Sequence, residues 1–117
     1  MTIINIIVQG TKDFNDYAIF VRAMGVAMSN LPDDEFNIYT VGPATINNYT
    51  AEFANKIESS MRARGKRVKF FRVPVQQVED NLDKFSYFAF FATPGDKLSH
   101  LCYTAQSTDM ETAVFRY

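Results

Sequence analysis

The sequence predicts an α/β domain, a three-layer Rossmann-like sandwich around a mainly parallel five-stranded sheet of order 3-2-1-4-5. Three observations predict it. Apolar runs of strand length alternate with helix-period stripes along the chain. The runs are β-branched or aromatic and nearly continuous, as in strands buried on both faces. Three of them end in a glycine-bearing corner before the next helical stripe: Gln9-Gly10-Thr11-Lys12-Asp13, Val41-Gly42-Pro43 and Thr93-Pro94-Gly95-Asp96-Lys97.

Residues 3–8, with Ile3, Ile4, Ile6, Ile7 and Val8, read as a first strand buried on both faces. Tyr17, Phe20, Val21, Met24 and Met28 then recur at the spacing of an amphipathic helix. Asn15 or Asp16 can cap it, and Asn30 with Pro32 ends it. Pro32-Asp33-Asp34 is turn chemistry, and residues 36–41 form a second strand. Asn47 and Asn48 offer caps for a helix carrying Phe53, Ala54, Ile57 and Met61, with Gly65 as its C′ residue. Val68, Phe70 and Phe71 make a third strand that stops before Pro74. Residues 75–82 are short and polar enough for one or two helical turns. Residues 85–91 are an aromatic strand that must be covered on both faces. Leu98, Leu101, Cys102 and Ala105 give another helical stripe, and residues 112–117 a last strand.

Strands separated by helices need crossover connections, which makes the sheet mainly parallel and puts helices on both faces. Right-handed crossovers leave few topologies. The order 3-2-1-4-5 fits because the first strand is strongly apolar and belongs at the centre. A ligand in such a sheet lies outside the carboxyl ends of the strands, at the switch between strands one and four. All three glycine corners fall at that rim.

At 117 residues the chain is one domain able to bury a real core. Twelve Lys and Arg face thirteen Asp and Glu, a balance that argues against an extended nucleic-acid surface. The local cluster Arg62, Arg64, Lys66, Arg67 and Lys69 lies at a helix end and turn, where cations meet the helix dipole. One cysteine excludes an internal disulfide and a Cys-based zinc site, and Cys102 reads as a small buried hydrophobe. No signal peptide and no membrane-spanning apolar run are present, so a cytoplasmic protein is expected (host cytoplasm if viral).

A strand turning through glycine into a helix N-terminus offers backbone N–H groups to an anion. At the first corner Gly10 permits close approach, Thr11 adds a hydroxyl, and Lys12 adds a point charge suited to phosphate. At the second, Thr45, Asn47 and Asn48 can hydrogen-bond a base or ribose, but Pro43 removes a donor. The third lacks the spacing and leading glycine of a Walker sequence. His100, the sole histidine, reads as a partly exposed structural residue, although Lys12, Lys97 and His100 could converge above the sheet as an anion site. No metal centre, cofactor or catalytic residue is assigned.

The succession Gly10-Thr11-Lys12-Asp13-Phe14-Asn15-Asp16-Tyr17, then Val41-Gly42-Pro43 before a helix, then an aromatic strand into Thr93-Pro94-Gly95, resembles the SLOG superfamily. More narrowly it is similar to the small YspA/YpsA-related members, relatives of the DprA and LOG Rossmann-like proteins. The resemblance covers nearly the whole chain in element order and spacing. It implies a domain that recognises nucleotides or nucleotide-derived ligands, some members being nucleoside-monophosphate hydrolases. The first motif of that group usually reads Gly-Ser-Arg-x-Phe. Gly10, Thr11 and Phe14 match it, and Lys12 replaces the arginine, losing the bidentate fork. The second motif is a glycine run with a following acidic residue. Gly42 matches one glycine, Pro43 and Thr45 stand where Ala and Gly are expected, and Asn47 takes the acidic position.

Three functions follow in order of preference. The first is binding of a nucleotide-derived small molecule, for sensing or sequestering. Gly10, Thr11 and Lys12 would hold phosphate and Thr45, Asn47 and Thr93 the sugar or base, with Asp13, Gly42, Gly95, Lys97 and His100 completing the site. The second is a protein-interaction or accessory factor, for instance a viral one acting on a host protein, that keeps the fold without the pocket. The third is a nucleotide N-glycosidase, for which Asp13 or Asp96 would have to replace the missing acid. Self-association as a homodimer is a further expectation, with Phe70, Phe71, Phe115 and Tyr117 on candidate edge strands.

Overall fold

In the computed structural model, which describes residues 2–117, the strands are β1 (Ile3–Gly10), β2 (Glu35–Thr40), β3 (Arg67–Arg72), β4 (Tyr87–Ala92) and β5 (Glu111–Arg116). They form one sheet in the order β3-β2-β1-β4-β5, every pair parallel. Between them run α1 (Tyr17–Ser29), α2 (Ala44–Ala63), α3 (Val75–Glu79) with a 3-10 turn at Leu82–Lys84, and α4 (His100–Gln106). The expected architecture is the observed one, with strand limits moved by a residue or two.

The register decides which side chains share a face. Ile6 lies beside Ile38 and Tyr87, and Val8 beside Thr40 and Ala89. The face bearing Ile4, Ile6, Val8, Ile38 and Phe91 meets Phe20, Met24 and Met28 of α1 and Phe53 of α2. The opposite face, with Ile7, Phe88 and Phe90, meets Val78 of α3 and Leu101, Cys102 and Ala105 of α4. This segregation follows from right-handed crossovers: the chain winds outward from β1 to β3 with helices on one face. It then returns past β1 and winds the other way with helices on the other. All six residues of β4 are buried, and each fully buried Phe contributes about 1.5–3 kcal/mol over exposure.

Local chemistry sets the helix ends. Asp16 caps α1 by accepting a hydrogen bond from the Ile19 N–H at 3.0 Å. Gly65, at φ +76°, ends α2 in a Schellman arrangement: Lys66 N–H donates to Met61 O at 2.8 Å and Gly65 N–H to Arg62 O at 3.0 Å. Asn47 and Asn48 do not cap α2. That helix starts earlier, at Ala44, with Pro43 in an extended conformation as its N-cap, and Asn47 lies inside its first turn.

The two edges differ. β3 carries Arg67, Lys69 and Arg72, and cations of that kind blunt an edge against pairing. β5 reads Thr-Ala-Val-Phe between Glu111 and Arg116. The helix packed against β5 is α4, from the opposite face. On the α1 side, Ala113 and Phe115 are partly buried at the margin of the core.

Candidate functional site

The loops leaving β1, β2 and β4 gather on one rim, as the topology requires, and they bind one another. Gly10 N–H donates to Gly42 O at 3.2 Å, and Thr11 N–H donates to Phe91 O at 2.9 Å. A Cβ on Gly10 would stand 2.6 Å from Ile46 Cγ1 and 2.9 Å from Phe91 O, so α2 packs directly onto this glycine. The Thr11 hydroxyl donates to the Asp96 carboxylate, and Thr93 N–H donates to the same oxygen at 3.0 Å. Arg116 Nη1 donates to the Asp96 backbone carbonyl at 2.7 Å.

Asp96 therefore ties the first corner to the third. The Thr11 hydroxyl, then the Thr93 amide and hydroxyl, hold its carboxyl below the usual carboxylate range. At neutral pH it is an anion at the mouth where a phosphate would approach. The stability it contributes is present above the unfolded carboxylate pKa of about 3.9 and is lost as pH falls through the lower folded value. Asp96→Asn is expected to lower the urea midpoint at neutral pH and to flatten its fall in acid. An acid limb identical to wild type would contradict this account.

The remaining rim residues divide. Asn47 Oδ1 accepts from the Thr40 hydroxyl at 2.8 Å and so is tied to the end of β2. Ser99 donates to Gln9 Oε1 at 2.5 Å and accepts from Cys102 N–H at 3.1 Å, which caps α4 and anchors it to β1. Thr45 is half-buried, whereas Lys12, Asp13, Gly95, Lys97 and His100 are exposed. Among the described residues no hydrogen bond or ion pair joins the side chains of Lys12, Lys97 and His100. Cys102 is fully buried, and burial pushes its thiol pKa up. Gln9, Ser99 and Arg116 were not singled out by sequence reasoning. Only the three-residue offset from Thr93 to Asp96 hints at the knot they support.

The open surface lies elsewhere. A groove of about 610 Å³ runs between α1 and β5, walled by Ile19, Ala23 and Val26 and floored by Tyr87, Ala113 and Phe115. Phe115 stacks on Phe91 at 5.0 Å between ring centroids, which fixes the floor to the core. Tyr87 is 6% exposed, and burial, then the charge of Glu111, raises its phenol pKa. Arg22 and Glu111 are the two charged residues lining the groove, and neither forms an ion pair among the described residues. Val26 and Tyr117, also at the groove, are 58% and 60% exposed. Sequence reasoning placed Phe115 and Tyr117 at an edge but missed the α1 wall. The available signal was the composition of α1, whose one charged residue is Arg22.

Among the described residues, no group of three or more His, Cys, Asp and Glu side chains could hold a metal ion. No helix of the described residues is long and apolar enough to cross a membrane. Comparison with family models, curated proteins and solved structures gives no match.

Proposed function

We propose that this chain is a protein-interaction module, a doubly wound scaffold that recognises a protein through the groove between α1 and β5. The observation that supports this most is the groove itself. It is a largely apolar trough continued by the exposed side chains of Val26 and Tyr117, and apolar surface gathered in one place is what a protein partner covers. The rim supports the same reading by a different route. The amides of Gly10 and Thr11 that a phosphate would need donate to Gly42 and Phe91, and an ionised Asp96 occupies the mouth. Displacing those bonds would cost a ligand part of its binding energy.

Two measurements test the reading together. A photo-cross-linking residue placed at Val26 is expected to capture a discrete protein, while the same residue at Lys12 captures none. In thermal shift, nucleoside monophosphates, diphosphates and cyclic dinucleotides are expected to leave the midpoint unchanged. A ligand bound to the folded state would raise it by mass action. A nucleotide-dependent rise that Lys12→Ala abolishes would overturn the proposal in favour of the SLOG-like nucleotide reading.

A further inference from the structure

We propose that the groove is filled by α1 of a second copy of this chain, each copy's α1 lying against the other's β5 about a two-fold axis. This rests on the interaction reading above and names its partner.

The composition of α1 is the first support. Phe20, Met24 and Met28 face the core, yet Ala18, Gly25 and Val26 are exposed and Ile19, Ala23 and Ala27 are half-buried. A helix that is apolar all round is one covered on more than one side. The neighbouring α2, on the same sheet face, shows what a solvent-facing helix of this protein looks like. Its outer surface carries the ion pairs Glu52–Lys56 and Glu58–Arg62. α1 has no such surface; its single charge is Arg22.

Dimensions and charge identify the occupant. Packed helices stand about 8–10 Å apart, roughly two strand spacings of about 4.8 Å. A helix laid beside α1 therefore covers the β4–β5 side of the sheet, where Ala113 and Phe115 are only partly buried. The groove is lined by one cation, Arg22, on its helical wall and one anion, Glu111, on its floor. A second α1 brings its own Arg22 to the interface holding Glu111, and the symmetry repeats the meeting. Because α1 is itself a wall of the groove, helix and groove belong to one self-complementary patch, and a two-fold contact through it closes at a dimer. Self-pairing along β3 is disfavoured by Arg67, Lys69 and Arg72 on that edge.

Sedimentation velocity of the full chain at micromolar concentration is the test. The wild type is expected to be a dimer. Val26→Glu, at a position exposed in the monomer, is expected to keep its circular dichroism and dissociate about 100-fold more readily, because the interface would have to bury a charged group in place of an apolar side chain. Arg22→Glu and Glu111→Arg are each expected to weaken the dimer about 10-fold, and the double swap to restore it. A wild-type monomer, a dimer indifferent to Val26→Glu, or a double swap no better than its single variants would overturn the proposal. A monomer whose Val26 cross-linker still captures one foreign protein would sink the second copy and leave the interaction reading standing. A nucleotide-dependent thermal shift lost in Lys12→Ala would sink that reading instead.

Discussion

Phe20→Ala is expected to cost about 3–5 kcal/mol, the usual range for emptying a fully buried aromatic site. Phe20 is 0% exposed. Its ring lies 4.8 Å from that of Phe91 on β4, 5.8 Å from Tyr49 and 6.1 Å from Phe53 on α2, centroid to centroid. It joins α1, α2 and the sheet at one point, so neighbouring elements cannot all collapse into the space it leaves. Against a total stability of about 5–15 kcal/mol for such a domain, the loss is a large fraction. The thermal midpoint is expected to fall by roughly 15–25 °C. Tyr103→Ala, at a residue 57% exposed, is the control and should change stability by less than about 0.5 kcal/mol. A Phe20→Ala midpoint within a few degrees of wild type would mean that the aromatic cluster does not hold the layers together.

Gly10→Ala is the second large effect, and its cause is the reverse, too much matter rather than too little. The added methyl would lie 2.6 Å and 2.8 Å from the Ile46 Cγ1 and Cδ1 atoms and 2.9 Å from the Phe91 carbonyl oxygen. Ile46 can turn, but the carbonyl is backbone in the central sheet and accepts the Thr11 N–H. Overpacking of this kind costs typically about 1–3 kcal/mol, and the rigid neighbour puts Gly10→Ala near the upper end. Urea unfolding checks it: the midpoint should fall with the slope unchanged. In an Ile46→Ala background the same substitution should cost less, leaving only the carbonyl contact. Equal costs in the two backgrounds would show that Ile46 is not what makes glycine necessary.

These two residues also show how much could be read in advance. Phe20 was legible as core from the spacing Tyr17, Phe20, Val21, Met24 and Met28, because a helix returns the same face every 3.6 residues. Gly10 was legible as a close-approach residue, and the structure adds a neighbour that the sequence did not name, Ile46. A glycine at a strand–helix corner admits a phosphate or a packed side chain equally well. Ile46, distant in sequence, fills the space. Asn47 gave a similar ambiguity: an Asn near a helix start suggests a cap, yet here it accepts from Thr40 while Pro43 is the N-cap and the helix begins at Ala44. The groove could not be read from any local pattern. Right-handed crossovers leave no helix over the α1 side of β5, but how much of that face stays open is set by how α1 packs.

By itself the sequence determined the order of elements, the parallel sheet with β1 at its centre, and the presence of helices on both faces. Those properties follow from periodicity and connection length, which are local and act on every residue alike. Only the tertiary structure decided what the rim and the β5 margin became. Hydrogen-bond partners such as Gly42 for Gly10 and Asp96 for Thr11 come from distant parts of the chain. A groove beside β5 likewise exists only once the other elements have taken their places.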